Sequence, residues 1–223
     1  MKKTILSIAG MLFKISLLAQ SLPSFNYKAP YSVPEQKKIR VIISSDAACE
    51  VDDPFAIVQA VLTPQFIIKG IIAAHFNNRV PASMEKSYCK IMELLKVMKL
   101  SNQIAVLKGA DHPLTDEYKP ITSEGTDLII KEALTDNRLP LYVLCFGPLT
   151  DVASAILEKP EIASRLTIIW SGGGTYPEGS GEFNLSNDIN AANWFLKVKL
   201  TFGKCRPMFI VRLGSAPLPY ILN

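Results

Sequence analysis

Apolar and polar positions alternate along this chain in two distinct rhythms. A short unbroken apolar run at 41–43 has the length of a buried strand, and residues 55–61 carry Phe55, Ile57, Val58 and Val61 at helical spacing. The same pairing recurs. Residues 66–74 (FIIKGIIAA) predict a strand, and 82–98 predict a helix with Tyr88, Ile91, Leu94, Leu95 and Met98 on one face. Strands follow at 104–107, 141–145 and 166–170, with helices at 123–134, 151–157 and 188–196, the first of them capped by Ser123. Strands alternating with helices at this spacing imply an α/β fold, a mainly parallel sheet with helices on both faces, an open Rossmann-like sheet. Ligands in such sheets bind beyond the carboxyl ends of the strands. The post-strand stretches 46–53, 75–78, 109–112, 146–150 and 172–184 therefore form the candidate site. They hold acids, amides and glycines, which suit a polyhydroxylated ligand.

The densest chemistry is in SSDAACEVDD, where Asp46, Glu50, Asp52 and Asp53 crowd between a strand and a helix. Like charges held together are compensated by a cation or a hydroxyl-rich ligand. The competing reading is that Asp52 and Asp53 only cap the following helix, where the dipole favours acids. Gly172, Gly173 and Gly174 could cradle a phosphate, but no Lys-Ser/Thr follows them and no GxGxxG occurs. His75 and His112 are each isolated and read as surface or loop groups, and no GxSxG occurs.

Composition narrows the setting. With 48% hydrophobic residues, 223 residues can bury one sizeable core. The net charge of +4 is misleading: Lys2, Lys3 and Lys14 supply three of the 24 bases, and the remaining 21 nearly balance the 20 acids. Neither nucleic acid nor an anionic membrane is indicated as a partner. Residues 1–20 combine two lysines, an apolar stretch and small residues, and predict a signal peptide for export, periplasmic or secreted, from a bacterium, with no membrane attachment after cleavage. Residues 21–37 form an irregular lead-in, and the domain spans 38–200. The four cysteines are scattered, without CxxC; Cys89 and Cys145 read as core residues.

In order along 38–196, SSDAACEVDD, GADHPL, GPLTDVASAI, and GGG with EFNLSNDINAAN resemble the nucleoside hydrolase family, the inosine/uridine-preferring N-ribohydrolases. The resemblance implies a calcium-dependent enzyme that cleaves the N-glycosidic bond of ribonucleosides. It implies Asp46 and Asp53 as calcium ligands, with Phe146 contributing its backbone carbonyl. Asp52, Asn78, Glu182 and Asn184 would contact the sugar, and Asp46 would serve as the base that activates water. Alternatives from other classes are a non-catalytic nucleoside- or sugar-binding protein and a hydrolase of another glycoside. Self-association into a homo-oligomer stays open.

Departures from the family pattern weaken the expected ion site. Ser44 replaces an aspartate, two extra residues separate Asp46 from Asp52, and Ser180 is the nearest polar side chain where the family often has an amide. A further aspartate ligand, beside a histidine near the family's C-terminus, is expected to be absent. Residues 201–223 lose periodicity and contain no acids. Read in a shifted frame from Phe202, their codons can spell Trp-Gln-Val-Pro-Pro-Asn-Val-Tyr-Arg, which resembles the family's continuation. A frameshift near Thr201 is the expectation, an incomplete domain whose activity stays open its consequence, and a short strand at 208–211 the alternative.

Overall fold

In the computed structural model, residues 29, 31–173, 181–197, 201–205 and 208–212 are described, the last two segments by their backbone. The signal-peptide reading, most of the lead-in, Ser180 and the end of the tail lie outside the described residues.

Strand β1 (Ile39–Ser45) is buried along nearly its whole length because both its faces are covered. Val41 and Ile43 point to one face, where they pack with Ile57 and Ala60 of α1 (Asp52–Leu62) and with Ile91 and Leu95 of α2 (Ser83–Val97). Ile42 points to the other, among Ile129 of α3 (Glu124–Leu134), Val152 and Ile156 of α4 (Thr150–Glu158), and Trp194 of α6 (Ile189–Lys197). This period-two division of a continuous apolar run places a parallel strand in the middle of three layers.

Beside β1 lie β2 (Phe66–Ala73) and β4 (Leu141–Cys145), both parallel to it. Adding β3 (Val106–Lys108), β5 (Leu166–Ser171), β6 (Thr201–Cys205) and β7 (Met208–Arg212) gives the order β3-β2-β1-β4-β5-β7-β6. The chain winds outward from β1 through β2 to β3, then returns to the opposite side of β1 as β4. The switch point, where the crossovers part and leave a crevice, is therefore between β1 and β4. The first five strands are parallel, and β7 and β6 add an antiparallel pair at the edge. Residues 208–211, the strand weighed above as the alternative, fall in β7.

Several sequence expectations shift in detail. Phe55 is 75% exposed, because Ile57 and Ala60, not Phe55, face the sheet. Cys89 is exposed on the outer side of α2, whereas Cys145 is buried on β4. A five-residue helix, α5 (Phe183–Asn187), precedes α6 and is too short to leave a periodic signal. Among the described residues no helix is long and apolar enough to cross a membrane.

Candidate active site

Asp46 is the first residue beyond β1. The chain turns at once, with Cys49 N donating to Asp46 O at 2.8 Å, and re-enters regular structure at Asp52. That tight return carries Asp53 back beside the strand end it has just left. Asp46 is 3% exposed and Asp53 8%. Ser45 Oγ donates to Asp53 Oδ2 at 2.5 Å, while Asp46 Oδ2 is buried with no hydrogen-bond partner. Burial raises both carboxyls well above the usual carboxylate range. For Asp46 the neighbouring Asp53 charge adds to the rise; for Asp53 the Ser45 hydroxyl works against it. In the bare protein the two acids therefore behave as a pair that cannot readily hold two negative charges.

The capping alternative holds in part, since Asp52 and Asp53 both lie in the first turn of α1, where the dipole favours acids, but it does not account for the whole loop. The N-cap of α1 is Val51, without a side-chain cap, and Asp53 is bound to Ser45 instead. Asp52 and Glu50 are exposed at the rim.

Across the switch point, β4 delivers Phe146 and Gly147. Phe146 N donates to Ser44 O at 2.8 Å, so β1 and β4 stay in step to the edge of the crevice. Gly147 sits against Asp46: a Cβ there would lie 2.9 Å from Asp46 Oδ1. The Phe146 carbonyl accepts from Asn184 Nδ2 at 2.6 Å, and the same amide nitrogen donates to Ser171 O at 2.9 Å. Glu182 is the N-cap of α5, accepting from Asn184 N at 2.9 Å, Leu185 N at 2.8 Å and Gly173 N at 3.1 Å. Asn184 thus bridges the ends of β4 and β5, and Glu182 fixes the turn from which it projects. Asn78 is exposed in the turn after β2, and no hydrogen bond brings it to the acid pair.

Hard oxygen donors converge here in kind, though few in number. Asp46 and Asp53 supply buried carboxylates, one with an unpartnered oxygen, and Phe146 supplies a carbonyl. Among the described residues no group of three or more His, Cys, Asp or Glu side chains could by itself hold a metal ion. A cation of the calcium type, which accepts carbonyl, water and ligand oxygens, fits such a set; zinc, which favours nitrogen and thiolate, does not.

Sequence reasoning missed a second group. His75 is a loop residue, as read, but not a surface one: it lies two residues beyond β2 and is 1% exposed. Its Nε2 is 2.8 Å from Thr150 Oγ1, and that hydroxyl donates to Asp188 Oδ2 at 2.6 Å. Burial lowers the His75 pKa from 6.5 to about 4, so the ring is neutral at physiological pH. Asp188 also accepts from Leu114 N at 2.9 Å and Ala191 N at 2.8 Å, tying four segments of the crevice rim together. Isolated in sequence, these residues give no signal except that each follows a strand or opens a helix. His112 is exposed, as read from sequence.

Comparison with known proteins bears on this arrangement. The sequence profile described as inosine-uridine preferring nucleoside hydrolase matches residues 41–211. The non-specific ribonucleoside hydrolase RihC of Salmonella newport is 24% identical over 192 residues, covering 75% of this chain and 60% of that protein. The pyrimidine-specific ribonucleoside hydrolase RihA of Salmonella paratyphi B is 25% identical over 163 residues, covering 63% of this chain and 52% of that protein. Among solved structures, an inosine-guanosine nucleoside hydrolase shares the fold with a TM-score of 0.58 at 22% identity, covering 72% of this chain and 58% of that one. A purine-preferring ribonucleoside hydrolase from Gardnerella vaginalis does so with a TM-score of 0.57 at 21% identity, covering 70% and 56%. The chain spans 60% or less of the length of these relatives.

Proposed function

The chain belongs to the inosine-uridine preferring nucleoside hydrolase family, and from that premise we propose that it is a calcium-dependent hydrolase of ribonucleosides, giving ribose and free base. The observation that carries the reading is the buried Asp46–Asp53 pair at the switch point, with Asp46 Oδ2 lacking any partner in the protein. The proposed ion ligands are Asp46, Asp53 and the Phe146 carbonyl. Bound calcium would supply a hard Lewis-acid centre that orders oxygen ligands and offsets the repulsion between the two acids.

The chain's own groups account for the chemistry. Breaking the bond between C1′ and the base nitrogen leaves its electron pair on the base, and positive charge develops on the sugar ring. Asp52 at the rim and the acid pair below provide the negative field that favours this charge. Water adds to C1′ and gives a proton to Asp46, the departing base takes up a proton from solvent, and Asp46 returns its own to solvent, so that ribose and neutral base are released. With the ion in place Asp46 would be held ionised, the form in which a carboxylate accepts a proton. Glu182 and Asn184 hold the sugar hydroxyls, and the backbone bonds they make fix their positions in advance. Asn78, exposed beside the crevice, joins them only if its turn closes over the ligand. Export from a bacterial cell belongs to the same proposal, supported by residues 1–20.

Reducing-sugar release from a panel of ribonucleosides, with and without chelator, tests the reading. Chelator-sensitive release supports it; absence of release by the calcium-loaded chain defeats it. One observation favours a second reading, a sugar- or nucleoside-binding protein without turnover: Glu182 and Asn184 already spend hydrogen bonds on the protein. Ligand binding with no release would favour that one.

A further inference from the structure

We propose that His75 Nδ1 is a dedicated acceptor for a ligand hydroxyl, which makes His75 a specificity-determining residue of the crevice; this rests on the sugar-binding part of the reading above.

Position comes first. Ala74 N donates to Ser45 O at 2.9 Å, so β1 and β2 remain paired up to the residues just before Asp46 and His75. The imidazole therefore leaves the sheet on the strand next to the acid pair, on the same carboxyl edge. Its tautomer follows from proton counting. The Thr150 hydroxyl has one proton, which goes to Asp188 Oδ2 at 2.6 Å. Thr150 Oγ1 can then only accept from the histidine, so Nε2 carries the ring proton and Nδ1 carries a lone pair. Leu114 N and Ala191 N hold Asp188 in place, so the ring has little freedom to turn.

That lone pair has no partner. Among the described residues the buried side-chain atoms without a hydrogen bond are Asp46 Oδ2, His75 Nδ1 and Asn187 Nδ2. Asn187 lies on the segment clamped to the His75 loop, since its Oδ1 accepts from Asn77 N at 2.8 Å. Leaving a buried polar atom unpaired costs about 1–3 kcal/mol; two of these orphans lie just beyond the carboxyl ends of the neighbouring strands β1 and β2, and the third on the segment bonded to Asn77. The proposed ion answers Asp46 Oδ2; of the two left, His75 Nδ1 is an acceptor and Asn187 Nδ2 a donor. A phosphate or a carbonyl offers only acceptors and leaves His75 Nδ1 unanswered. A ligand with several hydroxyls, each able to give and to accept, answers both kinds.

The test reads the histidine directly. In the full chain with 15N-labelled histidine, long-range proton–nitrogen correlation is expected to show His75 protonated at Nε2 and bare at Nδ1. Added ribose or ribonucleoside should then shift the Nδ1 resonance. In kinetics, His75→Phe should lower kcat/KM for a ribonucleoside about 10- to 100-fold. One of the 2′-, 3′- and 5′-deoxy analogues should show the same loss in the unaltered chain and no further loss in the variant. An equal loss on every analogue would reduce His75 to a structural role. A bare Nδ1 whose resonance ignores ribose and nucleoside would mean a resident water holds it, and the proposal fails. If the unaltered chain releases no sugar at all, the hydrolase reading falls by itself, and the nitrogen resonance with ribose alone decides the fate of His75.

Discussion

Two sets of buried aspartates occupy the same edge of the sheet and differ in how their oxygens are used. Asp188 accepts from Leu114 N, Ala191 N and Thr150 Oγ1, and Asp151 from Ala110 N and Ser123 Oγ. Asp46 and Asp53 have each other, Ser45, and an oxygen with no partner. Burial raises the pKa in all four, so the direction of the shift does not separate them. Hydrogen bonding does. Asp151 and Asp188 are joints that the fold has satisfied, whereas Asp46 and Asp53 form a pair whose desolvation the protein has not offset. A buried charge left unpaired by its own chain is a candidate for pairing by a ligand.

The sharpest way to break this contrast is substitution within each set. Asp46→Asn should reduce turnover about 10²- to 10⁴-fold, the usual worth of a positioned base. It should leave metal-free stability equal or higher, because a buried acid in conflict is removed. Asp188→Ala should act first on the fold. By leaving two backbone N–H groups and a hydroxyl without acceptors, it should cost about 3 kcal/mol or more in urea unfolding. If Asp46→Asn destabilises as much as Asp188→Ala, the two sets are alike and the distinction is lost.

Next in size is the dependence on pH. Asp46 and Asp53 bind protons more tightly folded than unfolded, so stability of the metal-free chain should fall as pH rises from 3.8 through their raised values. His75 works oppositely, its contribution being lost as pH falls from 6.5 toward 4. Above pH 6.5 only the carboxyl effect remains. The difference in melting temperature between the unaltered chain and Asp46→Asn should therefore keep growing in favour of the variant up to about pH 8 and level off beyond it. Calcium, which needs the ionised pair, should raise the unaltered chain's melting temperature more at pH 8 than at pH 5. A calcium effect independent of pH would place the ion elsewhere.

The smallest expected effect belongs to Gly147. An alanine Cβ would meet Asp46 Oδ1 at 2.9 Å, so Gly147→Ala should displace the carboxylate. Calcium affinity measured by calorimetry should weaken, with about 1 kcal/mol of stability lost to overpacking. Unchanged affinity would mean that Asp46 is not held where the ion binds.

The acid loop was legible because its cause is local: a strand-length apolar run, four acids and an amphipathic helix stand in direct succession. So was the class of fold, since each strand and helix carries its own period. Glu182 and Asn184 could be picked out by resemblance, but their bonds to Gly173, Phe146 and Ser171 are contacts between loops. His75 was misread for a related reason. One histidine after a strand looks the same whether its loop faces water or, as here, folds under Asp188 and Thr150. Phe55 erred the other way, an apolar residue at helical spacing that the turn of α1 leaves outside.

What the sequence determined by itself was the alternation of strand and helix and the place where acids accumulate, because both depend on neighbours along the chain. Tertiary structure decided which acids are spent on the fold and which are left over. It did so by bringing Thr150 and Asn187 against the end of β2 and Gly147 against Asp46, across sequence separations of 75 to 110 residues, with Asp188 behind Thr150. A hydrogen bond requires its two atoms to meet at about 3 Å, and only the closed sheet sets that distance.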